Sequence, residues 1–357
     1  MLSRTTPSRF AVPPLPPKLP VASLHDDVRV CAPGRLHLGF LDPSGTLGRR
    51  FGSLGLMIDG LDTEVALGAA AVDAFDADDA LCAAELDRAA ACLQRLRARS
   101  GRHAPLSLRL RRVLPAHAGF GSGTQLALAI GRAFARWHGL DVATPELAAW
   151  LGRGERSGVG IAGFDHGGLL VDGGPAADGR PAPLLARQPL PPAWRVLVVL
   201  DAARSGLSGP AEREAIETLP PLPQAQAADL CHQVLLRILP GAANDDFAAF
   251  AAGVNRLQEV LGAYFAPAQG GSAWTSPAVA RLMQWLRTQR PGSAALGQSS
   301  WGPTGFAIVP SADAAGALVA AARAAGVVDP ALELHTVSAR ARGADVSRAA
   351  AAAAAPR

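Results

Sequence analysis

A glycine-rich segment between two regular patterns constrains this chain more than any other feature. Gly119-Phe-Gly-Ser-Gly-Thr-Gln125 follows an alternating strand pattern at Leu106–Leu110 and leads directly into a helical pattern over Ser122–Trp137. Its closely spaced glycines allow a tight turn and bring backbone N–H groups close to an anion, and the helix adds its own unpaired N–H groups. The segment therefore predicts a phosphate site; the alternative is a plain glycine turn in which Ser122 caps the helix.

The remaining patterns are those of a mixed α/β chain that divides near residue 190. Strand patterns precede the glycine-rich segment, Pro175–Pro192 is a proline-rich connection, and helical patterns dominate the second half. We therefore expect two folded domains, at residues 25–190 and 191–342. A flexible, proline-rich tail is expected at 1–24, and an alanine-rich tail with nothing to pack against is expected at 343–357. The strands predicted earliest in the chain are Val28–Cys31, Leu36–Phe40, Leu54–Ile58 and Thr63–Leu67.

Composition excludes several classes of protein. With 49% hydrophobic and 18% charged residues, the 357-residue chain is expected to be globular. It lacks the run of roughly 18 apolar residues that a membrane helix needs, and Met1–Pro20 lacks the order of a secretory signal, so we expect a cytoplasmic protein with no membrane partner. The four cysteines have no metal-ligand spacing. The basic clusters Arg95–His103 and Arg109–Arg112 contain no aromatic residues, so no nucleic-acid partner is expected.

Lysine is almost absent. Lys18, in the proline-rich tail, is the only lysine of the chain. This excludes mechanisms that need a lysine in the folded part, such as a Walker A phosphate contact or a Schiff base. Arginine can bind phosphate or carboxylate bidentately instead, but it does not lose its proton to act as a base.

Several segments together resemble one protein family. Pro115-Ala-His-Ala-Gly-Phe-Gly-Ser-Gly-Thr-Gln125 resembles the phosphate loop of the GHMP superfamily, named for galactokinase, homoserine, mevalonate and phosphomevalonate kinases, in which the loop usually continues Ser-Ser-Ala. This loop and four further segments together are similar in sequence to the β-ribofuranosylaminobenzene 5′-phosphate synthases, a non-kinase family of that superfamily. The resemblance covers roughly residues 28–340. The further blocks are Ala32-Pro-Gly-Arg-Leu-His-Leu-Gly-Phe40, Gly152-Arg-Gly-Glu-Arg-Ser-Gly-Val-Gly160, Phe164-Asp-His-Gly-Gly168 and Gly297-Gln-Ser-Ser-Trp-Gly-Pro-Thr-Gly305.

This resemblance implies a fold and a reaction. The expected fold is α+β and GHMP-kinase-like, with an N-terminal half like domain 2 of ribosomal protein S5 and a ferredoxin-like C-terminal half. The expected enzyme is a pentosyltransferase that joins phosphoribosyl pyrophosphate to 4-aminobenzoate or 4-hydroxybenzoate, releasing carbon dioxide and pyrophosphate, in tetrahydromethanopterin biosynthesis. The resemblance also implies a magnesium ion, a homodimer and no use of ATP.

Candidate site residues follow from these segments and this chemistry. Asp165 and Glu155 are the carboxylates predicted to hold magnesium or to stabilise developing positive charge, and His37 and His166 are the remaining catalytic candidates. Asp172 and His117 are weaker candidates, and Ser205–Pro210 is a possible second anion-binding helix start. For each of these an N-cap, a salt bridge or a core position is the structural alternative. The predicted substrate-binding residues are Gly119, Gly121, Ser122, Gly123, Thr124, Gln125, Arg35, Arg153, Arg156, Ser157, Ser299, Ser300 and Trp301.

Two other functions remain open at this point. The first is an ATP-dependent small-molecule kinase of the same fold, which the altered loop wording and the missing lysine disfavour. The second is a protein that binds a phosphorylated ligand without turning it over. Binding of ATP separates the kinase from the synthase, and turnover of a pentose donor separates the synthase from the binding protein.

Overall fold

The computed structural model describes residues 28–207, 209–289 and 292–348. The predicted N-terminal tail, residues 1–24, and the alanine run after residue 348 lie outside these ranges. Within them, two β-sheets share a central core. None of the helices in these ranges is long and apolar enough to cross a membrane.

The first sheet has seven strands. β1 (Val28–Asp42) pairs antiparallel with β2 (Phe51–Ala69), and β2 pairs with β4 (Leu106–Arg112) along one half and with β5 (Leu169–Asp172) along the other. β3 (Ala74–Ala77) runs parallel to β4, and β6 (Leu184–Gln188) pairs with β5. The sequence predicted two short strands in place of each of β1 and β2. The structure joins them, with irregularities in β1 between Pro33 and Arg35 and between His37 and Gly39.

Helices cover one face of this sheet. The long helices are α2 (Leu86–Ser100) and α3 (Ser122–His138); the shorter ones are α1 (Ala80–Ala83), α4 (Thr144–Trp150) and α5 (Val159–His166). The apolar positions of α3, including Leu128, Ile130 and Phe134, are fully buried against the sheet and α2. The start of α3 is thereby held at the end of the loop that follows β4.

The second sheet is antiparallel, in the order β10–β7–β9–β8. Its strands are β7 (Arg195–Asp201), β8 (Ala295–Gln298), β9 (Thr304–Val309) and β10 (Leu332–Val337). One face packs on α10 (Pro277–Gln289) and α11 (Ala312–Ala324). The other face joins the central core, which it shares with the first sheet and with α9 (Phe247–Phe265). A helical run also packs there, from α7 (Gln224–Gln233) through a π-helical turn at Val234–Ile238 to α8 (Leu239–Ala243). The helix α6 (Gly209–Thr218) follows β7.

The chain returns to the first sheet near its end. β11 (Asp345–Arg348) pairs antiparallel with Val28–Cys31 of β1. The sequence predicted an alanine-rich tail here, with no strand and nothing to pack against. The structure corrects that prediction for residues 345–348, whose backbone groups complete the edge of β1.

Candidate functional site

An open cleft lies where the glycine-rich loop meets four other segments. Its walls are the residues of that loop, Arg35 and His37 of β1, the loop 152–157, the start of α6 and the turn 300–302. It encloses about 1470 Å³, counting the space open to solvent. Segments from both halves of the sequence therefore meet at one site, as the candidate residues predicted.

The start of α3 presents free backbone donors to this cleft. Gly121 is the N-cap with a φ of 69°, and no side chain caps the helix. The N–H groups of Thr124 and Gln125 donate to the Gly121 carbonyl, so those of Ser122 and Gly123 point beyond the helix end. The alternative in which Ser122 is an ordinary N-cap is therefore wrong, and the geometry is that of an anion site.

Two arginines lie against this helix start, and a third, Arg156, lines the same cleft. A Cβ at Gly121 would lie 3.1 Å from the Cγ of Arg35, and one at Gly123 would lie 3.4 Å from Nη1 of Arg153. Glycine thus lets each guanidinium lie close against the loop backbone. Buried nitrogens of all three arginines lack a protein partner: Nε of Arg35, Nε of Arg153 and Nη1 of Arg156. Buried polar groups are normally paired, so these donors point to an anionic ligand.

Burial lowers the pKa of Arg35 to about 10 and also lowers the pKa of Arg153. Both side chains remain protonated at neutral pH. His37, only 2% exposed, behaves differently. Burial and the neighbouring charges of Arg35 and Arg156 hold its pKa well below the ordinary value, so its ring is neutral. Its Nε2 is buried and has no partner.

Two crossed ion pairs connect the loop 152–157 to α6. Arg156 Nη2 contacts Glu212 Oε2 at 2.8 Å, and Arg213 Nη2 lies 3.8 Å from Glu155 Oε2. Burial raises the pKa of Glu212, while the charge and hydrogen bond of Arg156 act in the opposite direction. Sequence reasoning missed Glu212 and Arg213. The only available signal was the candidate helix start at Ser205–Pro210, directly before them.

Four of the predicted site residues do not line the cleft. Asp165 and His166 are exposed at the end of α5, and Asp165 accepts a hydrogen bond from Thr144 Oγ1 at 2.6 Å. Gln125 is buried and donates to the Gly160 carbonyl at 2.9 Å. Ser299 is buried between the loop and β1. Thr124 and Ser300, the neighbours of Gln125 and Ser299, line the cleft, whereas the residues that adjoin Asp165 and His166 do not.

The prediction that Glu155 and Asp165 together hold a metal ion is also corrected, because only one of them lines the cleft. Glu155 lines the cleft with a largely exposed side chain, whereas Asp165 does not line it, so the two carboxylates do not form one site. Within the described ranges, no group of three or more His, Cys, Asp or Glu side chains has metal-site geometry. The carboxylates that line the cleft are Glu155 and Glu212.

Contacts within the protein involve three further candidates: Asp172, Ser157 and the segment Ser205–Pro210. Asp172 Oδ2 accepts from the N–H groups of Gly158 at 2.7 Å and Val159 at 3.1 Å, and so caps α5. Ser157 lines the cleft, but its hydroxyl lies 3.3 Å from the same carboxylate. Gly206, in the candidate segment Ser205–Pro210, donates to the His117 carbonyl at 3.0 Å and closes that corner of the cleft.

Ser300 and Trp301 lie in the turn after β8, which packs beside the glycine-rich loop. Ser300 has a positive φ of 55°, and its N–H donates to the His37 carbonyl at 3.1 Å. Trp301 is nearly buried and packs edge-on against Phe265, with ring centroids 4.7 Å apart. Both residues line the cleft, as do most of the predicted substrate-binding residues.

Comparison with known proteins identifies the family. Residues 87–168 match the family described as GHMP kinases N terminal domain, and residues 238–328 match GHMP kinases C terminal. The chain is 30% identical over 296 residues to the β-ribofuranosylphenol 5′-phosphate synthase of Archaeoglobus fulgidus, covering 80% of this chain and 88% of that protein. The protein of the same name from Methanothermobacter thermautotrophicus is 29% identical over 294 residues, covering 77% and 87%.

Solved structures confirm the fold. Homoserine kinase from Cytophaga hutchinsonii superposes with a TM-score of 0.63 at 17% identity, covering 92% of this chain and all of that one. Mevalonate kinase from L. major, in complex with R-mevalonate, gives 0.65 at 16% identity, covering 88% and 96%. The chain belongs to the β-ribofuranosylphenol 5′-phosphate synthase family of the GHMP superfamily, with the two-domain α+β fold predicted from its motifs.

Proposed function

We propose that this protein transfers the phosphoribosyl group of phosphoribosyl pyrophosphate to a para-substituted benzoate, with loss of carbon dioxide and pyrophosphate. The observation that carries the proposal is the set of three buried nitrogens without partners, on Arg35, Arg153 and Arg156, in one cleft that also contains a helix start with no side-chain cap. The donor has two phosphate-bearing ends and the acceptor has a carboxylate. A cleft with three guanidinium groups and free backbone N–H groups suits that number of anions.

The bond changes balance without added reagents. The bond between C1 of the ribose and the pyrophosphate oxygen breaks, and pyrophosphate leaves with the electron pair. The ring carbon that bears the carboxylate bonds to C1. Carbon dioxide then leaves, and the electron pair of its bond restores the aromatic ring. No net proton transfer is needed, which agrees with a site whose buried histidine is neutral and whose cations are arginines.

The arginines and the helix start have separable tasks. The Ser122 and Gly123 N–H groups, together with Arg35 and Arg153, which lie against the loop, would bind one phosphate, while Arg156 would bind the leaving pyrophosphate. Positive charge near the departing oxygens stabilises the charge that develops there. Arg156 would have to share its guanidinium between the donor and Glu212, to which it is bonded at 2.8 Å.

We propose that two carboxylates of this cleft hold a magnesium ion. Magnesium in proteins is commonly bound by one or two carboxylates together with substrate phosphates. Glu155 and Glu212 line the cleft and would hold the ion, while Asp165 lies outside it. When bound, magnesium would neutralise negative charge on the pyrophosphate.

The names of the relatives favour one of the two acceptors. A ribofuranosylphenol product requires that the ring carry a hydroxyl group, so 4-hydroxybenzoate is the acceptor we propose first. We place the reaction in tetrahydromethanopterin biosynthesis on the same basis as the family resemblance, and we propose that the protein forms a homodimer.

The test is to incubate the protein with magnesium, phosphoribosyl pyrophosphate and carboxyl-labelled 4-hydroxybenzoate, and to follow pyrophosphate and labelled carbon dioxide together. We expect equal amounts of both, only when the aromatic acid is present, and we expect no consumption of ATP. Pyrophosphate without carbon dioxide would mean a different phosphoribosyl transfer or simple hydrolysis of the donor. Binding of the donor with neither product would favour the ligand-binding alternative, and ATP turnover with another small molecule would favour a kinase.

A further inference from the structure

A second pocket adjoins the anion-binding cleft and shares part of its wall. The two share His37, Phe40, Ser300 and Trp301. Beyond these residues the second pocket is formed by β1 and α9 and by the segment around Ala273. It encloses about 420 Å³, counting the space open to solvent.

The chemistry of this pocket differs from that of the cleft. Its lining contains no carboxylate, arginine or lysine among the described residues; His37 is its one titratable side chain, and that ring is neutral. The walls are aromatic and aliphatic, with Phe40, Leu261, Phe265 and Trp301 among them. Such a surface suits the faces and edges of an aromatic ring.

The polar groups of the pocket are neutral amides fixed by hydrogen bonds. Gln298 Nε2 donates to Gln269 Oε1 and to the Ser300 carbonyl, both at 2.9 Å, and Gln258 Oε1 accepts from the Gln298 N–H at 3.0 Å. These bonds hold the amide groups rigid. By contrast, the buried Nε2 of His37 has no partner, and it belongs to the wall shared with the cleft.

From this arrangement we infer that the second pocket binds the aromatic acceptor with its uncharged para end innermost, leaving the carboxylate end at the junction with the cleft. The orientation follows from charge: a carboxylate is stabilised beside the arginines and is costly among neutral, buried side chains. It also places the carbon that bears the carboxylate next to the donor. The inference rests on the proposed function. It adds the location of the acceptor and a specificity rule, that para substituents must be uncharged.

The inference can be tested by binding alone. The probe is 4-fluorobenzoate, observed by fluorine NMR, because its para fluorine would lie in the pocket. We expect wild-type protein to shift the fluorine signal, 4-hydroxybenzoate to displace the probe, and terephthalate, which has a charged para group, to leave it bound. The variant Ala273→Phe fills the pocket from an exposed position, and should weaken probe binding at least tenfold.

The matched control is Ala324→Phe, the same change at an exposed site on α11, which should bind the probe as wild type does. Affinity of Ala273→Phe for phosphoribosyl pyrophosphate should stay within twofold of wild type, which also shows that the variant is folded. Unchanged probe binding in Ala273→Phe, displacement by terephthalate, or no probe binding to wild type would overturn the inference. Probe binding that behaves as expected without any turnover would refute the proposed function and leave the pocket assignment intact.

Discussion

The hydroxyl of Ser299 donates to the carbonyl of Gly119 at 2.6 Å and accepts the N–H of His37 at 2.9 Å. One buried side chain thereby connects the turn after β8, the glycine-rich loop and β1. The sequence predicted that Ser299 contacts the substrate. The structure gives it a positioning role instead, since it holds two cleft walls in register.

Replacing Ser299 by alanine should loosen this junction. The change leaves the buried N–H of His37 without its acceptor and removes one donor to Gly119, and an unsatisfied buried group costs about 1–3 kcal/mol. We expect the free energy of unfolding, measured in urea, to fall by about that amount. Ser347→Ala, at an exposed position of β11, should change it little. Equal stability of the two variants would show that the bonds of Ser299 contribute nothing net.

Gly119 should not tolerate a side chain. Its φ is +100°, and a Cβ there would lie 2.5 Å from the backbone oxygen of Ser299. We expect Gly119→Ala to weaken donor binding at least tenfold, because the loop must shift. Gly101→Ala is the matched control: its φ is also positive, at +68°, but nothing lies within 4 Å of the added methyl group. That control should cost about 1–2 kcal/mol of stability from backbone strain and leave donor affinity unchanged. Calorimetric titration with phosphoribosyl pyrophosphate measures the donor affinity of each variant. Equal donor affinities would contradict the steric argument.

Arg35 should not be replaceable by lysine. Its guanidinium lies buried against Gly121, and a lysine ammonium lacks the planar fork that binds phosphate bidentately. We expect Arg35→Lys to raise the Kd for the donor at least tenfold, about 1.4 kcal/mol. Arg323→Lys, at an exposed site on α11, should have no effect. Donor affinity that survives the change at Arg35 would remove this residue from the anion site.

His37 should make the protein less stable in acid. Its pKa in the folded protein lies well below the ordinary histidine value of 6.5, so below pH 6.5 the unfolded chain binds a proton that the folded protein does not. Stability is therefore fully present above that value and is lost as the pH falls towards the folded pKa, by up to about 1.4 kcal/mol per pH unit. Urea unfolding at pH 7.5 and 5.5 should show a smaller loss for His37→Gln than for wild type. The same loss in both proteins would mean that His37 is not buried in the neutral form.

Local sequence patterns predicted several of the helices and strands around the site. The start of α3 at Ser122 follows from the glycines before it and the apolar periodicity after it, and β7, β9 and β10 follow from short apolar runs. The segments that resemble the family contain Arg35, Arg153 and Arg156, and all three residues line the cleft. The helix start and the strands depend on neighbouring residues, so the sequence alone predicts them, whereas the grouping of the three arginines was predicted from the family resemblance.

Side-chain direction and long-range pairing were not contained in the sequence. Asp165 and His166 follow a glycine-rich block that does line the cleft, but α5 extends away before it reaches them. Glu212 pairs with Arg156 across 56 positions of sequence, and no local pattern marks that contact. The burial that keeps His37 neutral likewise arises only when β1 packs against the turn 299–301.

The most direct test of the central claim is the bond that forms. Phosphoribosyl pyrophosphate labelled with carbon-13 at C1 would be mixed with 4-hydroxybenzoate labelled at the ring carbon that bears the carboxylate, and the product examined by carbon NMR. We predict one-bond coupling between the two labelled carbons, with loss of the carboxylate. A product in which these carbons are not coupled, such as an ester or an ether of the ribose, or no product at all, would contradict the account.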